Sequence, residues 1–556
     1  MRTVAARKVS LRIHARLIKL LKGFFLLRQP VWVLWITAGF TVIFALVTFQ
    51  GFFFYDDINY LRYAHQVWNG TFQLTDDIHN HRFGLIIPLA LMTGLLGLSD
   101  FSAILWPLLA TLLTLVVIYR FVYRRSRYAA LMAVWLFGTE YYIIFYSNKV
   151  YPDTTDTLFM MLGVMLLWIS RYKNAWYSLL PALAFFACLL TKETVIYVFP
   201  FLMWWIVSRF RKEQDIKRHL IFTFSLMLLL AVLFNVYYFV AGDYFYLIDT
   251  VQAAQKARHL AQDALEEAML LFPRLTYEPL VMLSDSGMIA VLILSMPKLL
   301  NGWRCLIYTR DNVESIAWVY TVSGLLVFWF MSSSFQEYRP IPLNPRMFFP
   351  IMPGIAILAA FSIRYYFQKR VWLFRYTLMF LGAAFIDLLT GHEKIALVYL
   401  GFALLFAAAW YPRVRLSKEA FWVGFIALTA LHPLYALVKT HPHDYFSEKA
   451  AFQFIQQNRP AKLLLLTDDR LLKQADFYFG FSIPNGLQIG SYCSATAGNG
   501  METWLFVNDH SVSVLSAAGK QACQPPIEAA GRELLWKEDN VAVYRLKNSQ
   551  LRATSE

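Results

Sequence analysis

The chain has 556 residues, 58% of them hydrophobic and 17% aromatic, with only 16% charged and a formal net charge of +15. So large an apolar share, with so few charges, excludes an ordinary water-soluble domain and indicates an integral membrane protein. The basic excess is not a nucleic-acid footprint, because it falls in short clusters between apolar runs of roughly 20 residues, and continuous runs of that length mean helices and not a β-barrel.

Taken in chain order, residues 1–29 hold Arg2, Arg7, Lys8, Arg12, Arg16, Lys19, Lys22 and Arg28. They read as a basic cytoplasmic amphipathic segment lying on anionic membrane lipid. A first span near 30–50 carries the chain outward, so Asp56 and Asp57 of "FYDDINY" lie outside. The stretch 84–98, "GLIIPLALMTGLLGL", is too short to cross and reads as an interfacial helix. The next span then runs inward and delivers Arg120, Arg124, Arg125 and Arg127 to the cytoplasm. Continued in this way, residues 30–438 give about 13 spans, with lysine and arginine favouring the cytoplasmic side by about three to one. Outer loops fall at 51–102, 147–155, 242–285 and 332–345, the third with a helical pattern in its middle. Residues 439–556 are polar and contain no spanning run; "FSEKAAFQFIQQN" has helix character and "KLLLLTDD" strand character. The expected fold is a polytopic α-helical membrane protein with a small extracytoplasmic α/β domain at the C-terminus. Cys493 and Cys523 fall in that domain, in a compartment that permits a disulfide.

The chemistry-bearing residues gather on the outer face. From Asp57 onward, Ile58, Leu61, Ala64 and Trp68 recur near helical spacing. Asp56 and Asp57 then occupy a first helical turn, where the helix dipole favours a carboxylate, so capping is one reading of the pair and chemistry the other. The same face collects His79, His81 and Arg82 of "HNHR", Asp153 and Asp156, Lys192 and Glu193 of "LLTKETV", Arg339, and Arg346. Pro152 marks a helix start at Asp153, and the span end at Lys192 allows snorkelling to the interface. Together, acids, a lysine and arginines at one membrane surface suit an anionic lipid headgroup and a proton-accepting base. His79 and His81 lack a dedicated zinc spacing, so no metal ligand is assigned and a divalent cation stays open as a cofactor. No Walker loop, dinucleotide fingerprint or "GxSxG" elbow occurs.

The order of these features resembles a family. An acid pair after the first span, a short embedded helix running into "LLGLSDFSAILWP", an Asp in the next outer loop, "LLTKE" and "NPRMFFPIMPGIAILAAF" are similar to the polyprenyl-phosphate-sugar-dependent GT-C glycosyltransferases. Among these, the protein O-mannosyltransferases and the aminoarabinose-to-lipid A transferases are the nearest in pattern, over roughly residues 30–440. The resemblance implies transfer of a sugar from a polyprenyl-phosphate donor to an acceptor, an envelope lipid, glycan or protein, by inverting displacement on the outer face of a cell inner membrane. It implies Asp56 as the acid acting on the acceptor hydroxyl, with Asp57 beside it, Asp153 as the second-loop acid, and Lys192 and Arg346 neutralising the carrier phosphate. His81, Arg82, Asp156, Glu193 and Arg339 are expected to bind substrate because they gather with these on the same outer face. This chain departs from the pattern at Asp57, where relatives commonly have Glu, at Met347, where they commonly have Tyr, and at "HNHR", which replaces a Lys-Pro type of sequence. The rival reading is a transporter or flippase of a lipid-linked substrate, which would place polar residues near the midplane of the spans.

Overall fold

The computed structural model describes residues 31–52, 54–209, 213–259, 271–304, 312–334, 338–369, 372–414, 416–438, 444–492, 501–510 and 532–546. The basic segment 1–29, Cys493 and Cys523 lie outside the described residues. The chain falls into two compact units: residues 1–48, 74–85 and 105–439 form one, and 49–73, 86–104 and 440–556 the other.

The first unit is helical. Among the described residues, five helices are long and apolar enough to cross a membrane: Asp100–Tyr123, Ile216–Ala241, Val313–Phe330, Pro345–Tyr365 and Glu393–Trp410. A sixth is made if Arg127–Gly138 and Tyr141–Ser147, bent by 65° at their break, form one span. Shorter apolar helices at Trp32–Val47, Ala175–Leu189, Glu193–Ser208 and Ile289–Asn301 supply further elements, and a fifth, Phe83–Leu96, belongs mostly to the second unit. Five or six helices thus meet the length and composition test among the described residues, against the roughly 13 spans expected, and one pair is bent.

Burial sorts the helices. Pro345–Tyr365 is 89% buried and runs through the core, whereas only 22% of Ile216–Ala241 is covered. A buried span needs small residues where helices touch, since apolar side chains gain little by leaving lipid for a neighbour and close packing must hold the pair together. Gly354 meets that need: a Cβ there would stand 2.3 Å from Thr321 Oγ1 on Val313–Phe330. Ala356, Ala359 and Ala360 extend the same narrow profile with no exposure. The outlying helix instead shows Phe224, Met227 and Phe239 on its surface, an apolar exposure that lipid tolerates and water would not.

The second unit contains the acid pair and a sheet. Gly51 turns the chain at φ +89, a left-handed conformation open to glycine, and the helix Phe54–Trp68 follows. Five strands, β1 (Leu463–Thr467), β2 (Leu487–Ser491), β3 (Glu502–Asn508), β4 (Glu533–Glu538) and β5 (Val541–Leu546), order as β2-β1-β3-β5-β4. The β2-β1-β3 half is parallel and β3-β5-β4 antiparallel. Every residue of β1 is buried, as a strand covered on both faces requires. Phe452 and Ile455 of the helix Tyr445–Asn458 pack on one face, and Leu464, Leu466, Leu505 and Val507 form the core of the other.

Candidate active site

In the helical unit, Asp153 opens the helix Pro152–Ser170, with Pro152 at its first position. Its carboxylate is turned inward, 1% exposed, and accepts a hydrogen bond on Oδ1 from Lys192 Nζ. Lys192 is the extended residue that precedes the 3₁₀ turn Glu193–Val198. Its side chain is only 5% exposed, with Nζ 3.2 Å from Met347 Sδ, so it is inserted into the protein and the snorkelling expected of a lysine at a span end does not occur. Burial draws the ammonium below its ordinary value; Asp153 opposes that pull, while Arg346 and Arg82 add to it. Asp153 Oδ2 is buried and has no hydrogen-bond partner among the described residues. An orphaned carboxylate oxygen beside a buried cation is costly unless a bound group completes it.

Arg346 arrives from a third element. Asn344 caps the 3₁₀ turn Pro345–Ile351 by accepting from the Arg346 amide at 3.1 Å, and the guanidinium lies 5.0 Å from the centre of the Tyr151 ring. Arg82 arrives from a fourth. The Gly84 amide donates to the Leu190 carbonyl at 2.8 Å, and a Cβ on Gly84 would stand 2.1 Å from Thr191 Oγ1. That close approach sets Arg82 Nη2 3.7 Å from Glu193 Oε2. The cluster therefore gathers Lys192, paired with the buried Asp153, with Arg346 and with Arg82, which faces Glu193, from four separate segments.

Other expected site residues are engaged elsewhere. Asp156 is fully buried and accepts from Thr194 Oγ1 at 2.5 Å and Cys188 Sγ at 2.9 Å. It thus ties the Pro152–Ser170 helix to the segment carrying Lys192. His81 is buried between the Thr75 carbonyl, 2.9 Å from Nε2, and the Tyr237 hydroxyl, 3.1 Å from Nδ1. A carbonyl only accepts, so Nε2 carries the proton and Nδ1 accepts from the phenol. Burial holds this imidazole below its ordinary value of 6.5. His79 Nδ1 pairs with Asp77 Oδ1 at 2.6 Å. Nearby, Asp76 accepts from the Tyr246 hydroxyl at 2.5 Å, a bond that raises the phenol to about 12. Arg339 is half-buried in a loop closed by the bridge between Ser332 and Pro340. Among the described residues, no group of three or more His, Cys, Asp or Glu is placed to hold a metal ion.

The acid pair belongs to the other unit and lies in the first turn of Phe54–Trp68. The two acids differ in access: Asp57 is fully buried, Asp56 half-buried. One turn on, Arg62 binds Asp476 with two prongs, 3.0 Å from Nε and 2.8 Å from Nη2, and Asn59 Oδ1 with a third bond of 2.7 Å. The acid-bearing helix is thereby fixed to the sheet-containing part of its own unit.

Residues 85–238 match the family model described as dolichyl-phosphate-mannose-protein mannosyltransferase. The crystal structure of ArnT from Cupriavidus metallidurans bound to undecaprenyl phosphate is 13% identical, with a TM-score of 0.55 over 94% of this chain and 99% of that one. ArnT in the apo state is 14% identical, with a TM-score of 0.54 over 92% of this chain and 97% of that one. The fold is that of the GT-C glycosyltransferases. No curated protein matches the chain. Within this GT-C fold, the stretch matched by the family model contains Asp153, Asp156, Lys192 and Glu193; Asp56 precedes it and Arg346 follows it.

Sequence reasoning passed over two residues. Lys149, four before Asp153 in "NKVYPD", is fully buried, and a lysine in a polar outer loop gives no signal of burial. Tyr151 forms the aromatic floor under Arg346, and the neighbouring proline, which drew attention to helix starting, hid that role.

Proposed function

We propose that this protein is a membrane glycosyltransferase that moves a sugar from a polyprenyl-phosphate carrier to an acceptor on the outer face of the membrane. What supports this reading is the concentration of Lys192, Arg346 and Arg82 about the half-satisfied carboxylate of Asp153. It is joined by the GT-C fold and the matched family model. A cluster with excess positive charge, largely withdrawn from water, stabilises a phosphate that gains charge as it leaves.

In the proposed reaction the acceptor oxygen attacks the anomeric carbon and forms the new glycosidic bond. The bond from that carbon to the phosphate oxygen breaks, and its electron pair leaves with polyprenyl phosphate. Lys192 and Arg346 neutralise that leaving group, and Asp56, the more accessible of the acid pair, takes the acceptor's hydroxyl proton. Asp153 holds Lys192 and offers its second oxygen to the sugar. A single displacement of this kind inverts the anomeric centre and needs no covalent enzyme intermediate.

The test is release of free polyprenyl phosphate by the purified protein in nanodiscs, given a panel of polyprenyl-phosphate sugars and an envelope extract as acceptor source. Release by wild type, with a loss of about 10²–10⁴-fold in a folded Asp56→Asn variant, is the expected result for a general base. Undiminished release by that variant removes Asp56 from the role. No release with any donor turns the reading towards carriage of a lipid-linked substrate without transfer.

A further inference from the structure

A cationic cavity lies at the end of the helical unit opposite the Lys192 cluster, and we infer that it binds a phosphate group, from either an anionic phospholipid or a soluble phosphate ester. Arg125, Lys298, Glu314, Phe361, Arg364 and Tyr365 line it. Arg346 and Arg364 sit at the two ends of one span, Pro345–Tyr365, which puts them roughly 27 Å or more apart at 1.5 Å per residue. The cavity is thus a membrane thickness away from Lys192 and belongs to no step of the proposed transfer.

Its walls are helix ends. Arg125 occupies the turn between Asp100–Tyr123 and Arg127–Gly138; Lys298 is in the last turn of Ile289–Asn301, and Glu314 in the first turn of Val313–Phe330. The open volume is about 260 Å³, far beyond the roughly 10–15 Å³ that one water needs. Glu314 is shared: its Oε2 accepts from Lys298 at 2.5 Å, and its Oε1 stands 3.6 Å from Arg125 Nε. Arg364 donates to the neutral Ser126 hydroxyl at 2.7 Å and has no ion-pair partner among the described residues. Three cations against one carboxylate leave two positive charges in excess, in a cavity that helices hold open. Two guanidinium forks and an ammonium lining one cavity fit the oxygens of a phosphate, and a basic pocket between spanning helices is where an anionic headgroup docks.

The experiment uses full-length protein in two nanodisc preparations, one of phosphatidylcholine and one containing phosphatidylglycerol. Native mass spectrometry counts retained lipid, and a thermal-unfolding titration with inorganic phosphate is run in the phosphatidylcholine discs. Retention of phosphatidylglycerol over phosphatidylcholine, weakened about tenfold by Arg364→Gln and largely kept by Arg364→Lys, assigns the cavity to a lipid headgroup. A rise in unfolding temperature with inorganic phosphate, lost in the same variant, assigns it to a soluble phosphate. Glu314→Gln removes the competing carboxylate and tightens either ligand, an effect that a purely structural role for these residues would not produce. It keeps the test decisive if Arg364→Gln fails to fold. Equal lipid retention in wild type, Arg364→Gln and Glu314→Gln, with no response to phosphate, overturns the inference.

Discussion

Asp153 and Asp156 stand three residues apart on one helix, both withdrawn from solvent, and they have opposite characters. Asp156 gives each carboxylate oxygen a neighbour, Cys188 on one and Thr194 on the other. Asp153 spends one oxygen on Lys192 and leaves the other without a hydrogen bond among the described residues. A buried polar group with all its partners needs nothing further, whereas one left incomplete has capacity for a bound group, the capacity that the proposed function assigns to Asp153. The difference comes from the partners brought opposite each acid, since the helix treats the two alike.

The largest break in this comparison is Lys192→Met. It strands the Asp153 carboxylate in a buried setting, and loss of one member of such a pair costs about 3–5 kcal/mol, read as a lowered unfolding midpoint together with loss of polyprenyl phosphate release. Adding Asp153→Asn should restore much of the stability and none of the turnover; recovery of turnover would deny both residues their part. Next comes Asp156→Ala, expected to lose about 1–3 kcal/mol by leaving Thr194 and Cys188 without their acceptor, while turnover per folded molecule falls much less than in Asp153→Asn. Equal turnover losses in the two would erase the distinction between them.

A smaller effect concerns pH. His81 is held below its ordinary value in the folded protein, so the unfolded chain takes up the proton first as pH falls. Stability from this site is full above about 6.5 and declines below it, until folded His81 is protonated as well. Protonation removes the Nδ1 lone pair that accepts from Tyr237. His81→Gln should flatten that decline in pH-resolved thermal unfolding, and an unchanged slope would assign it to another group. The smallest effect belongs to Lys449, which pairs at 2.8 Å with a partly exposed Asp100. Lys449→Ala should cost about 0.2–1 kcal/mol, a benchmark against which the buried pair is measured.

The helical membrane character was plain in composition, and the first-turn position of Asp56 and Asp57 followed from the spacing of Ile58, Leu61 and Ala64. Lys192, Arg346 and Asp153 were recognisable as charges on one face. Their pairing was not, because it depends on the approach of Gly84 to Thr191 and on Met347 lying against Lys192, neither of which has any periodic signature. The bonds of Asp156 to Thr194 and Cys188 were hidden too, because one-dimensional spacing cannot show which way a carboxylate faces within a bundle. Kinks hid in the same way: the 65° bend around Thr139 and Glu140 interrupts what reads as one continuous apolar run.

The clasp of Arg62 on Asp476 spans 414 residues of sequence, and that interval is also a delay. Chains grow at roughly 5–20 residues per second, so the helix carrying Asp56 exists on the order of 20 to 80 seconds before its anchoring carboxylate has been made. The segment carrying the acid pair is thus among the earliest parts of the molecule to be synthesised and among the last to be set in place.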